Sequence, residues 1–229
     1  MPRIEPAEKG LWRFYFPEGL KSFRANGGEA GAEPSPENTA SALDAELKKL
    51  GFGLEGRKTL DLGSGHGFFL SQLYKVGCRG YGIEKHHDRS EYALQKFNEI
   101  SIPKDFVPII INGDYLDEKD FSFPDGSTLG DMDFFYCFSY QDFHAKAVLA
   151  RLSHPRAARI GSIAYIGDIT TWHSSWLKEY DELAEQLGFK FYTKESSDLR
   201  RDFFVRESIV DSPKLRKRSI DTYRKEAGI

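Results

Sequence analysis

The stretch that decides the fold is residues 59–69, which read Thr59-Leu60-Asp61-Leu62-Gly63-Ser64-Gly65-His66-Gly67-Phe68-Phe69. A short apolar strand is predicted over 58–62, and a helix is predicted after the glycines, through about Val76. Gly63, Gly65 and Gly67 let the backbone turn sharply and leave room for a ligand against it. A turn that follows a strand and opens a helix lies where an open α/β sheet binds its ligands.

Three glycine-loop patterns compete for this stretch. A phosphate-binding P-loop ends in Gly-Lys-Ser/Thr, which the sequence lacks. A dinucleotide fingerprint needs glycine at position 68, where the chain has Phe68. The third pattern, an acidic residue followed by alternating glycines, is matched at every position by Asp61 and the three glycines. A carboxylate at this place attracts a ligand with positive charge and repels a pyrophosphate.

Strand and helix patterns alternate along the rest of the chain. Further strands are predicted over 79–84, 107–111, 131–137, 160–166, 189–193 and 203–208, and helices over about 36–50, 88–100, 141–152 and 174–187. The helix near Asp88 has the spacing of a capping box with Glu91. The last two strands are joined by a short link, so they are expected to be antiparallel. The pattern predicts an α/β fold with a Rossmann-like, doubly wound, seven-stranded sheet, mostly parallel with a terminal antiparallel strand.

Three parts are expected along the chain. Residues 1–34 form an N-terminal aromatic segment and a flexible connection, residues 35–210 the main domain, and residues 211–229 a basic C-terminal helix or tail. Ser35 and Pro36 have the pattern of a helix start. The aromatic run 11–16 suits either a lid over a ligand or packing against the sheet edge, and the sequence leaves both open.

Two more acids follow predicted strands. Glu84 and Lys85 end the strand after the glycine loop, 23 residues beyond Asp61, and a carboxylate there can accept both hydroxyls of a ribose. Asp114 follows the third strand and can accept from an exocyclic amine, with the backbone N–H of Tyr115 beside it. Successive parallel strands therefore each carry an acid at the carboxyl end.

These segments resemble the class I, seven-β-strand, S-adenosylmethionine-dependent methyltransferases over roughly residues 35–210. The resemblance implies that S-adenosyl-L-methionine is the cofactor and S-adenosyl-L-homocysteine the product. It implies roles in holding the cofactor for Asp61, Gly63, Ser64, Gly65, Gly67, Glu84, Lys85, Asp114, Tyr115 and Cys137. In that family, the segment after the fourth strand lies beside the reactive methyl group, so the resemblance also assigns Phe138 and Tyr140 as catalytic candidates lining an aromatic channel.

Asp-Leu-Gly-Ser-Gly, Gly-Ile-Glu-Lys and Gly-Asp-Tyr-Leu, taken in order, are similar to the disruptor-of-telomeric-silencing type of histone lysine methyltransferase. An aromatic channel suits an amine, because ring faces attract ammonium groups. The resemblance implies methylation of a protein lysine amine. The chain differs from the histone enzymes in lacking both asparagines of their Asn-Asn-Phe-Ala-Phe segment. Two alternatives stay open: a small-molecule N- or O-methyltransferase using Asp168 or His173 as base, and a non-catalytic adaptor with the same fold.

Composition narrows the class of protein and its partners. The two cysteines, Cys78 and Cys137, have no metal-ligand spacing, so no metal is expected, and a reducing compartment is favoured. The polar N-terminus and the lack of a long apolar stretch predict no signal peptide and no membrane span, hence a cytoplasmic or nuclear protein. The net charge of −3 disfavours nucleic acid, although the basic run 214–225 leaves such a contact open. The expected partner is a protein substrate before a small molecule, and the oligomeric state is not predicted.

Overall fold

The structure, a computed structural model, describes residues 3–7, 11–15, 40–117, 119–137, 142–167, 177–193, 199 and 202–228. Its strands are β1 (Arg3–Ala7), β2 (Leu11–Tyr15), β3 (Lys58–Leu62), β4 (Arg79–Glu84), β5 (Ile109–Asn112), β6 (Phe134–Cys137), β7 (Ile163–Ile166), β8 (Phe189–Tyr192) and β9 (Phe203–Arg206). Its α-helices are α1 (Ala40–Lys49), α2 (His87–Glu99), α3 (Asp142–Leu152), α4 (Leu177–Gln186) and α5 (Pro213–Ala227). Short 3₁₀ helices cover Leu70–Val76, Lys104–Phe106 and Leu129–Asp131.

The main sheet has seven strands in the order β5-β4-β3-β6-β7-β9-β8. The strands β3 to β7 pair in parallel, and β9 pairs antiparallel with both β7 and β8. The predicted doubly wound, mostly parallel sheet is therefore confirmed. Its antiparallel member is the last strand in the chain, and it lies between β7 and β8. The strand order reverses between β3 and β6, and at such a switch point an open α/β sheet leaves a crevice for ligands.

Each face of the sheet is covered by helices, so the strands are apolar on both sides. Leu60 and Leu62 of β3 pack on the face that carries α3, α4 and α5. Phe134 and Tyr136 of β6 point to the other face, against α1, α2 and the 3₁₀ helix 70–76. Side chains alternate between the faces of a strand, and burial on both faces is typical of parallel sheets between helices.

Local structure corrects two predictions about helices. The segment from Leu70 to Val76 is a 3₁₀ helix, and it ends at Gly77, whose φ of 67° places it in the left-handed region, as a C-terminal glycine does. Helix α2 starts at His87 rather than Asp88, and no side chain caps its first turn, so the predicted Asp88–Glu91 capping box is wrong. Helix α5 begins at Pro213, inside the segment 211–229 predicted as a basic helix or tail, and proline suits the first turn of a helix.

The N-terminal aromatic segment contains an antiparallel pair, β1 with β2, in which Arg3 lies opposite Tyr15. Ser35 and Pro36 lie outside the described residues. Among the helices that the structure describes, none combines the length and the apolar character that crossing a membrane requires.

Candidate functional site

Three carboxylates lie at the carboxyl ends of three neighbouring strands. Asp61 is opposite Gly82 in the β3–β4 pair, and Glu84 is the last residue of β4. Asp114 lies two residues beyond the end of β5. Asp61 and Glu84 are buried, with 5% and 3% of their surface exposed. The acids that the sequence analysis singles out are therefore at the same edge of the sheet, next to the switch point.

The glycine loop is tied to the end of β4 by backbone hydrogen bonds. The N–H groups of Gly63 and Ser64 both donate to the carbonyl of Ile83, at 2.9 and 3.2 Å. The Gly67 N–H donates to the Ser64 carbonyl at 2.8 Å and closes the turn. Gly63, Gly65 and Gly67 all have positive φ, at 78°, 52° and 73°. Side chains other than glycine rarely adopt this conformation, which explains the alternating glycines.

Glu84 fixes the loop as well as facing the edge. Its Oε2 accepts from the Gly65 N–H at 2.8 Å, and its Oε1 accepts from the His86 N–H at 2.8 Å. Sequence reasoning assigns Glu84 only a ligand role and misses this structural one. A carboxylate has about four acceptor positions, so about two remain after these bonds.

The space around two of the loop glycines differs. A Cβ on Gly67 would lie 2.6 Å from Phe97 Cζ and 2.9 Å from Ala93 Cβ, both on α2. A Cβ on Gly63 would lie 3.4 Å from Tyr115 Cε1. The missing side chain at 67 therefore lets α2 pack against the loop, whereas a Cβ at 63 would be in ordinary van der Waals contact with the Tyr115 ring.

Ser64 and Gly82 are matched in the same way. A Cβ on Gly82 would lie 2.7 Å from Ser64 Oγ. The Ser64 side chain is therefore turned toward β4. Its N–H donates to Ile83 of that strand, and its carbonyl accepts from Gly67 within the loop. Its predicted ligand contact stays a prediction.

A cluster of polar aromatic side chains lies next to Gly63. The Tyr115 hydroxyl is hydrogen-bonded to Nε2 of His144 on α3. The His144 ring is 4.9 Å from the ring of Tyr223 on α5, between centroids. Cys137, at the end of β6, is 1% exposed, and its pKa is affected by the neighbouring Tyr115. Sequence reasoning misses His144 and Tyr223, because 29 residues separate Tyr115 from His144 and no spacing connects them.

Burial keeps the cluster uncharged at neutral pH. Desolvation, and next the charge of Lys85, lower the pKa of His144 to about 4. The imidazole is then neutral and its Nε2 can accept the proton of the Tyr115 hydroxyl, whose own pKa burial raises well above its usual value. Burial, and next the Asp61 carboxylate, raise the pKa of Cys137. No thiolate is present there at pH 7, so a nucleophilic role for Cys137 is not favoured.

Asp114 and the turn after it are held in place from two helices. Asp114 Oδ1 accepts from the Leu116 N–H at 2.9 Å, as an Asx turn does. The buried Arg151 of α3 donates from Nε to the Asp117 carbonyl at 2.9 Å. Arg224 of α5 donates from Nη2 to Asp117 Oδ1 at 3.1 Å. Asp114 therefore shapes its own turn through Oδ1, and Oδ2 takes no part in that hydrogen bond.

The remaining predicted site residues divide into two groups. Lys85 is exposed at the end of β4. The catalytic candidates Phe138 and Tyr140 and the alternative bases Asp168 and His173 lie outside the described residues. No group of three or more potential metal ligands occurs in the described part of the chain.

No protein-family model matches the sequence, and a sequence comparison with curated proteins finds no match. Comparison of structures does find relatives. One is a proposed RNA methyltransferase from Pyrococcus horikoshii, with a TM-score of 0.52 and 16% identity over 76% of this chain and 87% of that chain. Another, a proposed S-adenosyl-L-methionine-dependent methyltransferase from Methanococcus maripaludis, has a TM-score of 0.50 and 13% identity over 73% of this chain and 85% of that chain.

A third relative is phosphoethanolamine N-methyltransferase 2 from Haemonchus contortus, in complex with phosphomonomethylethanolamine and S-adenosylhomocysteine. Its TM-score is 0.50 at 15% identity, over 92% of this chain and 53% of that chain. The chain therefore spans about half the length of the Haemonchus enzyme. At these identities the likeness concerns the fold, and it agrees with the strand order described above. The chain has the seven-stranded fold of S-adenosylmethionine-dependent methyltransferases of known structure.

Proposed function

We propose that the chain is an S-adenosylmethionine-dependent methyltransferase. The observation that carries the proposal is the set of carboxylates Asp61, Glu84 and Asp114 at the carboxyl ends of β3, β4 and β5. A glycine loop follows the first of them and is tied to the second. This arrangement lies at the edge where an open α/β sheet binds ligands.

The three carboxylates fit the three polar parts of S-adenosylmethionine, which are the amino-acid end, the ribose and the adenine. Asp61 would hold the amino-acid end, because a buried carboxylate favours an ammonium group over an anion. Glu84 would accept from the ribose hydroxyls with the lone pairs that its two backbone bonds leave. Asp114 would accept from the exocyclic amine of adenine.

When bound, the cofactor supplies an electrophilic methyl group on a sulfonium, and this is the demanding part of the chemistry. The chain's own contribution is to bind and orient the two reactants. Glu84 pre-positions the loop through Gly65, and Asp61 adds the negative charge that a cationic ligand requires. The neutral Tyr115–His144 pair and the protonated Cys137 add no further charge beside it.

For the acceptor we propose an amine. The aromatic residues Phe138 and Tyr140 motivate this choice, because an aromatic channel attracts ammonium and methylammonium groups. The lysine methyltransferase resemblance favours a protein lysine within this class. The Haemonchus relative, whose complex holds phosphomonomethylethanolamine, is an example of this fold with a small acceptor. A cell extract incubated with the protein and methyl-labelled cofactor separates the two, since label in protein supports lysine and label confined to small molecules contradicts it.

Calorimetric titration with S-adenosylmethionine and S-adenosylhomocysteine tests the cofactor. We expect saturable binding, weakened at least about tenfold by Asp61→Asn, because a hydrogen bond to a charged group contributes about 1.5–3 kcal/mol. Asp44→Asn is the matched control. Asp44 is equally buried and accepts a backbone hydrogen bond from Leu54 at 2.8 Å, before β3 begins.

The outcomes of that titration separate the alternatives. The control variant is expected to lower stability without changing the affinity of the folded protein. Failure of the folded, cofactor-free wild type to bind either ligand would overturn the proposal. Binding without methyl transfer to any acceptor would favour a non-catalytic adaptor.

A further inference from the structure

Helix α5 reaches the carboxyl edge of the sheet through its last turns. The Tyr223 ring lies 4.9 Å from the His144 ring, and His144 Nε2 meets the Tyr115 hydroxyl. The Tyr115 ring in turn occupies the space beside Gly63, 3.4 Å from where a Cβ would be. Contacts therefore run without interruption from the C-terminal helix to the first glycine of the loop.

A second contact joins α5 to the turn that carries Asp114. Arg224 Nη2 lies 3.1 Å from Asp117 Oδ1, and the Asp117 N–H donates to the Asp114 carbonyl at 3.0 Å. Both groups of the ion pair are partly exposed, so the pair contributes little to stability by itself. The position of the ion pair matters more, because it links α5 to Asp117, in the same turn as Tyr115, which the Tyr223–His144 contacts reach.

Residues besides Tyr223 also attach α5 to the core. Ile220, one turn earlier on α5, is 4% exposed and belongs to the core on that face of the sheet. The buried Arg216 pairs with Asp211 at 2.8 Å at the start of the helix. Tyr223 is therefore one of several residues that pack α5 on the core, and its ring also contacts His144.

We infer that helix α5 is a positioning element of the site proposed for S-adenosylmethionine. Tyr223 holds His144 in place, and His144 in turn holds the Tyr115 ring against Gly63 of the loop. This inference rests on the proposed function. Tyr223 and His144 are positioning residues, and their effect on the ligand passes through the Tyr115 ring and the loop. A helix that the sequence separates from the main domain is then required for the domain's ligand affinity.

Four variants of the full chain test the inference, with S-adenosylhomocysteine affinity and amide hydrogen exchange of residues 61–67 as readouts. We expect Tyr223→Ala to weaken binding by about 3- to 30-fold, the range for substitutions that act through packed neighbours. Exchange in the loop should become faster. Tyr223→Phe keeps the ring and should behave as wild type. Lys225→Ala, exposed on the last turn of the same helix, should change neither readout.

Ile220→Ala is the structural control, because it removes core contacts of α5 and leaves the side chains of Tyr223, His144 and Tyr115 unaltered. It should lower the unfolding midpoint and leave both readouts unchanged well below that temperature. Equal weakening by Ile220→Ala and Tyr223→Ala would overturn the inference, as would wild-type affinity and unchanged exchange in Tyr223→Ala. In either case binding by the wild type leaves the proposed function intact, whereas no binding by the wild type overturns both.

Discussion

Gly67 gives a sharp test of how the loop is built, because the structure offers a control with the same backbone. Gly67 has φ of 73°, and Gly51 also has φ of 73°. An alanine Cβ at 67 would meet Ala93 Cβ at 2.9 Å and Phe97 Cζ at 2.6 Å, whereas nothing lies within 4 Å of one at 51. The two substitutions therefore share the backbone cost and differ in packing.

The magnitudes follow from these two terms. A non-glycine residue in the left-handed region costs roughly 1–2 kcal/mol, and this applies to both Gly67→Ala and Gly51→Ala. Overpacking adds about 1–3 kcal/mol at 67 alone. Rotation of the Phe97 ring leaves its Cζ in place, because that atom lies on the rotation axis, and the Ala93 methyl cannot turn aside, so α2 has to move. We expect Gly67→Ala to lower the free energy of unfolding by about 2–5 kcal/mol and Gly51→Ala by about 1–2 kcal/mol.

Urea denaturation of the two variants and of wild type measures the difference. Adding Phe97→Leu to Gly67→Ala should relieve part of the clash, so the double variant is expected to be more stable than the sum of the single effects by about 0.5–3 kcal/mol. Equal losses for Gly67→Ala and Gly51→Ala would refute the reasoning. Additivity of Gly67→Ala with Phe97→Leu would show that the ring is not the obstacle.

Three further predictions concern buried polar groups. The pKa of His144 is about 4 in the folded protein against 6.5 in the unfolded chain, so its contribution to stability is full above pH 6.5 and is lost as the pH falls to 4. Denaturation over this range should show up to about 3 kcal/mol more loss of stability in wild type than in His144→Gln. Equal losses in the two proteins would contradict this prediction. Burial raises the pKa of Cys78 to about 12 and also raises that of Cys137. A thiol reagent at pH 8 should therefore label neither cysteine in the folded protein and both in urea. Fast labelling of the native state would contradict this prediction. Arg206→Met should lower the free energy of unfolding by about 2–4 kcal/mol, because the fully buried guanidinium donates to two backbone carbonyls. The control Arg156→Met removes an exposed side chain and should lower it by under about 1 kcal/mol. Similar losses for the two variants in urea denaturation would contradict this prediction.

Two strands of the sheet could be predicted to the residue, whereas others begin later than predicted. The bounds of β3 and β4, Lys58–Leu62 and Arg79–Glu84, are those that the apolar runs predict. At β5 the prediction begins two residues early, at Val107, because Pro108 has no N–H to donate to a ladder and the strand starts after it. At β7 it begins three residues early, since Gly161 adopts φ of 86° in a turn. Apolar periodicity locates such strands, and local backbone chemistry sets their ends.

The site could be predicted only where its residues follow strands. Asp61, Glu84 and Asp114 are found because the carboxyl ends of parallel strands meet at one edge. His144 and Tyr223 are not, since each looks like an ordinary helix residue, and their partners come from distant parts of the chain. Their packing against Tyr115 depends on how α3 and α5 cross the sheet, and a single sequence carries no local signal for such a crossing.

Glu84 joins the stability of the loop to its chemistry. Because its two oxygens already accept from Gly65 and His86, the carboxylate is fixed before any ligand arrives, and so is the glycine loop. A ligand that uses the remaining lone pairs then meets a site that needs little reordering, and pre-organisation of this kind raises affinity by lowering the entropic cost of binding. The same coupling means that Glu84→Gln places an amide N–H₂ or a weaker acceptor opposite backbone donors, so it disturbs the loop as well as the ligand. A loss of affinity in Glu84→Gln would therefore not separate the ligand contact from the order of the loop.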